Sequence, residues 1–272
     1  MIERLTAHDS MLQGAFMLDE VPYNLVYRVL ESEEALCVKT ANEQLLFAQT
    51  PGLNGWLWLS PHSTVAQQEG NLSALMNHLA GRAALTGVSG APASAQKFAD
   101  AYAARTGTTW RTHMALEAYT CEAVRQPTHV PGELRQAAEG DADTVAAFIA
   151  GFSEETRGVP ATPDSQRTAA LGMIATGNLY VWVVEEEPVS MANIAFRAPR
   201  HGRINAVYTP RARRSRGYAS AAVAELSLGL LREGLVPMLY TDAANPISNR
   251  AYRNVGYVQQ GSLVDIQFER GE

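Results

Sequence analysis

The chain has 272 residues, 46% of them apolar, and 22 basic against 28 acidic side chains give a net charge of −6. That length can fill one large core or two modest ones, and the acidic balance argues against a nucleic-acid or anionic-membrane partner. The 2 cysteines form no CxxC, and the 6 histidines (His8, His62, His78, His113, His129, His201) show no metal-ligand spacing. With no leader-like or membrane-length apolar stretch either, the expectation is a metal-free protein of the reducing cytoplasm.

In the first half, Ala15 to Glu20 predicts a short helix. Leu25 to Leu30, Ala35 to Thr40, Glu43 to Ala48 and Gly55 to Leu59 predict strands, the last ended by Ser60-Pro61. Leu72, Leu75, Met76 and Leu79 recur at helical spacing, and Leu85 to Val88 reads as a strand. Phe98, Tyr102 and Arg105 share one face of a helix that ends at Gly107, and Trp110 to Thr120 reads as a strand. Gly87-Val88-Ser89-Gly90 is no nucleophile elbow, because G-x-S-x-G fails at Ala91.

Glu122 to Gly132, with two prolines, reads as a linker and divides the chain into parts 1–130 and 131–272. Beyond it, Leu134 to Ala137 predicts a strand. Asp141 or Asp143 is expected to cap a helix carrying Val145, Phe148, Ile149 and Phe152, with a second helix from Thr162 to Thr176. Leu179 to Val184 and Ser190 to Phe196 predict strands joined by a turn at 185–188, and Arg203 to Thr209 a third. The whole reads as α/β with a mixed sheet.

The strand ends at Pro210, and a loop with Arg211, Arg213, Arg214, Arg216 and Gly217 follows. Ala219, Ala222, Val223, Leu226 and Leu230 then mark an amphipathic helix. Strand, cationic turn and helix together make an anion site, because the first helical N–H groups have no internal partner. A P-loop is excluded, since the only lysines are Lys39 and Lys97, and G-x-G-x-x-G is absent from this turn. What stands here is Arg214-Ser215-Arg216-Gly217-Tyr218-Ala219, R-x-x-G-x-A. It resembles the acetyl-CoA pyrophosphate loop of the GNAT superfamily of N-acetyltransferases, with Ser215 where many members carry a second glycine. Downstream, a strand at Pro237 to Thr241 precedes Asn245 to Tyr257, whose N-x-x-x-x-x-x-Y-x-x-x-G-[FY] spacing is similar to the last GNAT helix. The element order from Glu133 to about Phe268 is that of a GNAT domain. Gly87 to Gly107 resembles the N-terminal half of a two-part GNAT subfamily, which implies a degenerate first copy without the cofactor loop.

The resemblance implies an N-acetyltransferase using acetyl-CoA as co-substrate and a primary amine of a small molecule or peptide as acceptor. The backbone of Val207, Tyr208 and Thr209 is then expected along the pantetheine arm. The N–H groups of Arg214, Ser215, Arg216, Gly217, Tyr218, Ala219 and Ser220 are expected on the pyrophosphate. Tyr252 is expected as general acid toward the thiolate. Asn245 and Asn249 are cofactor contacts or helix caps. Many relatives place a carboxylate base on the strand before the loop, where this chain has Asn205. Glu154, Glu155 and His201 are the remaining candidates for a base or acceptor contact, each more readily read as a solvated surface residue. A non-catalytic acyl-CoA-binding module is the alternative, and a phosphopeptide or nucleotide binder a weaker one. The N-terminal half in the place of a dimer partner would leave a monomer; otherwise a homodimer is expected.

Overall fold

The C-terminal strand, β12 (Val258–Arg270), does not stay with the half of the chain that encodes it. The computed structural model describes residues 1–270 and divides into two compact units. The first takes Met1–Ala118, Thr241–Asn245 and the described chain from Gln259 to Arg270. The second takes Tyr119–Tyr240 and Pro246–Val258. The single cut expected near residue 130 is therefore not where the contacts divide. The expected linker lies inside the second unit, where the N–H of Cys121 donates to Pro237 at 2.9 Å and that of Arg125 to Val255 at 2.7 Å.

The first unit holds β1 (Ile2–Arg4), α1 (Leu25–Leu30), β2 (Leu36–Thr40), β3 (Leu45–Gln49), β4 (Gly55–Leu59), α2 (Val65–Leu79), β5 (Gly87–Gly90), α3 (Pro92–Thr106) and most of β6 (Thr108–Thr120). Its strands run in the order β1-β2-β3-β4-β5-β12-β6. β4 and β5 are parallel, and β12 pairs antiparallel with β5 through Val264↔Gly90 to Gln267↔Gly87. Phe47, Leu57, Leu75, Val88, Phe98 and Ile266 form its fully buried core.

Leu25–Leu30 is a helix and not the strand its β-branched residues suggested. Tyr23, Val26 and Tyr27 fall at helical spacing and are buried, with Phe16 lying 6.1 Å and 6.2 Å from the two tyrosine rings. Packing outweighs local propensity there. β1 was not anticipated. Its three residues are held by antiparallel pairing with β2.

The second unit holds β7 (Glu133–Gln136), α4 (Ala142–Arg157), α5 (Pro163–Ala175), β8 (Leu179–Val184), β9 (Glu187–Arg197), β10 (His201–Tyr208), α6 (Tyr218–Arg232), β11 (Val236–Asp242, to Tyr240) and α7 (Pro246–Val255). Its strand order is β11-β10-β9-β8-β7. Asp141 precedes α4 but does not cap it. Its carboxylate accepts from Arg135 at 2.6 and 2.8 Å and from the Ala138 N–H at 2.8 Å. The apolar face of α6 (Ala222, Val223, Leu226, Leu230) is buried with Ile194, Ile204 and Leu239 of the strands.

The two halves repeat one order: strand, helical segment, three antiparallel strands, helix, parallel strand, helix, strand. The first half thus repeats the element order of the second.

Candidate active site

β10 delivers the chain to the loop. Its parallel ladder with β11 runs from His201↔Val236 to Arg203↔Met238. Toward β9 the register shifts between Asn205↔Asn193 and Tyr208↔Met191, so one extra residue is accommodated on β10. Ala206 carries the irregularity at φ 49. A bulge of this kind twists the strand and turns its backbone groups out of the ladder. Tyr208 is turned toward α4, where its ring lies 6.0 Å from Phe148 and 6.4 Å from Phe152. Gly151 faces it closely, and a Cβ there would come 2.2 Å from the Tyr208 hydroxyl, so the ring would have to shift. The Tyr208 carbonyl accepts from the Ser190 hydroxyl at 2.9 Å, and the Thr209 carbonyl from Arg214 Nε at 2.8 Å. Each carbonyl therefore already has one internal donor, while Val207 packs against the α6 cluster.

The loop from Pro210 makes one 3-10 turn at Arg211–Arg213 and reaches Gly217 at φ 82, ψ 0. No described side chain caps α6. Ser215, one residue before Arg216, adopts φ 62, a left-handed conformation that costs a non-glycine residue energy. Left-handed residues close to a helix start turn successive N–H groups into one concavity, which suits an anion. Tyr218 is buried, Ala219 and Ser220 are partly so, and Arg214, Ser215, Arg216 and Gly217 are exposed.

The loop arginines are not equivalent. Arg211 Nε and Arg214 reach the two oxygens of Glu155 at 3.0 and 2.5 Å, and Arg213 reaches Glu187 at 2.7 Å. The Arg214 guanidinium also lies over the Tyr208 ring, 5.7 Å from its centroid. Arg216 forms no ion pair with any described residue. Desolvation pushes the Glu155 carboxyl upward, but the hydrogen bonds and charges of Arg214 and Arg211 outweigh it and hold its pKa below the ordinary value. A carboxylate with both oxygens engaged and its pKa lowered is a poor proton acceptor. Glu155 is therefore an exposed residue whose carboxylate is taken up by two loop arginines, and it is not placed as a base.

Tyr252, on α7, packs against the same apolar cluster as Val207 and Tyr218. Among the described residues, none hydrogen-bonds its hydroxyl, and burial pushes its pKa up to about 12. Asn249 is buried on the same helix. Asn245 is exposed just before α7, and its N–H donates to Asp242 at 3.0 Å. Glu154 is exposed. His201 opens β10, seven positions before Tyr208, hence about 20 Å from the loop at the rise of a strand. It is not brought to the site. Asn205 is exposed and accepts from Asn193 at 2.9 Å. Among the described residues no three His, Cys, Asp or Glu side chains converge as a metal would require. Among the described residues no helix is long and apolar enough to cross a membrane.

The corresponding helix of the first unit, α2, starts differently. The Thr64 hydroxyl accepts from the Gln67 N–H at 3.3 Å, and the Gln67 side chain accepts from the Thr64 N–H at 2.8 Å. This reciprocal cap occupies groups that α6 leaves open. Its T-x-x-Q signature stands in the sequence.

Residues 180–263 match the family model of FR47-like proteins, and no curated protein sequence matches the chain. Three similar solved structures carry the fold comparison. A GCN5-related N-acetyltransferase from Sphaerobacter thermophilus has a TM-score of 0.62 at 16% identity, over 100% of this chain and 96% of that one. A GCN5-related N-acetyltransferase from Kribbella flavida has 0.59 at 16%, over 95% and 96%. A GNAT-family acetyltransferase from Colwellia psychrerythraea has 0.56 at 13%, over 100% of both.

Proposed function

We propose that this chain, a protein of the GNAT fold, transfers the acetyl group of acetyl-CoA to a primary amine of a small molecule or peptide. The observation that carries this reading is the uncapped N-terminus of α6, opened by Gly217 and flanked by Ser215 at φ 62. The residues present fit the group. The N–H groups from Arg214 to Ser220, with the Arg214 and Arg216 guanidiniums, suit a pyrophosphate. The strand backbone around Val207, past the end of the β11 ladder, suits an extended amide chain.

Acetyl-CoA supplies an activated acyl carbon and a thiolate leaving group. Backbone N–H groups beside the β10 bulge would orient the carbonyl and stabilise negative charge developing on its oxygen. Attack by the amine forms the C–N bond as the C–S bond breaks, and the proton lost by nitrogen passes to water. Tyr252 keeps its proton at neutral pH and would donate it toward the departing sulfur. A phenol near 12 is a weaker acid than an ordinary thiol near 8.5. Desolvation raises a thiol in the same way, so the gap narrows inside the site. Asn249 lines the same helix as a cofactor contact. Asn245 and Glu154 are left to helix capping and solvent.

Incubation with acetyl-CoA and a panel of primary amines, following thiol release, tests the reading. Amine-dependent release supports it, and no release with any amine contradicts it. The second reading, an acyl-CoA-binding module without catalysis, is favoured by Asn205 in place of an acid and by the engagement of Glu155. It predicts binding without release. The first unit is read as a degenerate copy that binds no cofactor, because the cap at Thr64 and Gln67 fills the helix start.

A further inference from the structure

We propose that Glu155 is a positioning residue for the acyl-CoA phosphates, holding Arg211 and Arg214 as a preformed pair beside the α6 loop. The inference rests on the cofactor reading given above. Glu155 stands in the last turn of α4, where the helix dipole is negative and a carboxylate is disfavoured. Its ionised form is held there by the two guanidiniums, one on each oxygen.

The arrangement orders side chains that would otherwise be loose. Arg211 is 81% exposed and its ion pair is to Glu155. Arg214 is fixed three ways, by the Thr209 carbonyl, the Glu155 carboxylate and the face of Tyr208. One carboxylate against two guanidiniums leaves one positive charge in excess. The pair therefore stays attractive to phosphate, unlike Arg213, which Glu187 balances one to one. Guanidiniums ordered before binding lose less rotamer freedom when they take a phosphate. Against this stands the repulsion between one carboxylate and the phosphates, which solvent screens at a surface position. Ordering of two long side chains outweighs that repulsion.

Calorimetric titration of coenzyme A, which allows no chemistry, separates these effects. Glu155→Gln should bind about tenfold more weakly than wild type, and Glu155→Asp should fall between them. In an Arg211→Gln/Arg214→Gln background the further change Glu155→Gln should cost nothing, because the coupling is already gone. The acetyl-CoA KM should rise in the same proportion with kcat unchanged, a split that a merely structural role would not produce. Thermal unfolding checks that each variant is folded. Binding by Glu155→Gln as tight as wild type, or an equal loss with both arginines removed, overturns the proposal and leaves the function intact. Failure of the wild type to bind coenzyme A overturns the function, and this proposal with it.

Discussion

The rings of Tyr252 and Tyr257 stand edge to face with centroids 6.0 Å apart, and their hydroxyls have opposite fates. Tyr257 is bound to Ser227 at 2.8 Å within the core, while no described residue hydrogen-bonds the Tyr252 hydroxyl. One hydroxyl serves the fold, and the other is the one proposed to meet the cofactor sulfur. Tyr252→Phe keeps the ring packing and should lower kcat by about 10²–10³-fold with coenzyme A affinity and Tm unchanged. Tyr257→Phe should do the reverse, costing about 1 kcal/mol of stability and leaving kcat within about twofold. Steady-state kinetics and thermal unfolding of both variants check this.

The pH dependence follows from the same phenol. Burial favours the neutral form and lifts the Tyr252 pKa from 10.0 to about 12. The unfolded chain would therefore release this proton first as pH rises. The stability contributed by the neutral phenol is present below pH 10 and is lost as pH rises through about 12. For activity, kcat should show no alkaline fall from Tyr252 below about pH 11. A pH–rate profile with a descending limb near 10 that vanishes in Tyr252→Phe would refute the desolvated phenol.

The chain should bind one acetyl-CoA and not two. α6 opens at Gly217 with no cap, whereas Thr64 and Gln67 close the start of α2. Thr64→Ala, which removes that cap, should cost about 1 kcal/mol of stability. Binding stoichiometry by calorimetry counts the sites directly, and a value near two would contradict a single site.

Asp141 anchors the entry to α4. Its carboxyl is held below the ordinary range, chiefly by the hydrogen bond from Arg135, against desolvation and with help from the Ala138 N–H. A depressed carboxyl pKa contributes stability above its unfolded value, near 3.8, and loses it as pH falls through the lower folded value. Asp141→Asn should cost about 1–2 kcal/mol at pH 7, discounted because Arg135 is 38% exposed. The deficit against wild type should shrink below pH 4, as followed by acid unfolding.

Local chemistry made the elements from Glu133 onward legible, because helix caps, strand runs and Gly217 act over a few residues. Leu25–Leu30 was misread because its helix depends on Phe16 and Tyr23 packing across sequence. The departure of β12 to the first unit is a long-range pairing that no local pattern encodes. The loop was visible as R-x-x-G-x-A, yet the bulge at Ala206 was not, since alanine carries no signal for φ 49. Glu155 and His201 looked alike as candidates. Only the fold separates them, putting the first on two loop arginines and the second at the far end of β10. The cap at Thr64 and Gln67 is local and stands in the sequence as T-x-x-Q.

Titration of acetyl-CoA into the wild-type protein, beside Gly217→Asp and Arg216→Glu, tests the α6 site most directly. A Cβ at Gly217 meets Val130 Cγ2 at 2.8 Å, and the added carboxylate competes for the N–H groups a phosphate needs. Arg216→Glu reverses the charge of the loop arginine that no described residue pairs. Wild type should show saturable 1:1 binding with a Kd on the order of micromolar, lost in Gly217→Asp and weakened at least about tenfold in Arg216→Glu. Absence of wild-type binding, or equal affinity in all three proteins, would contradict it.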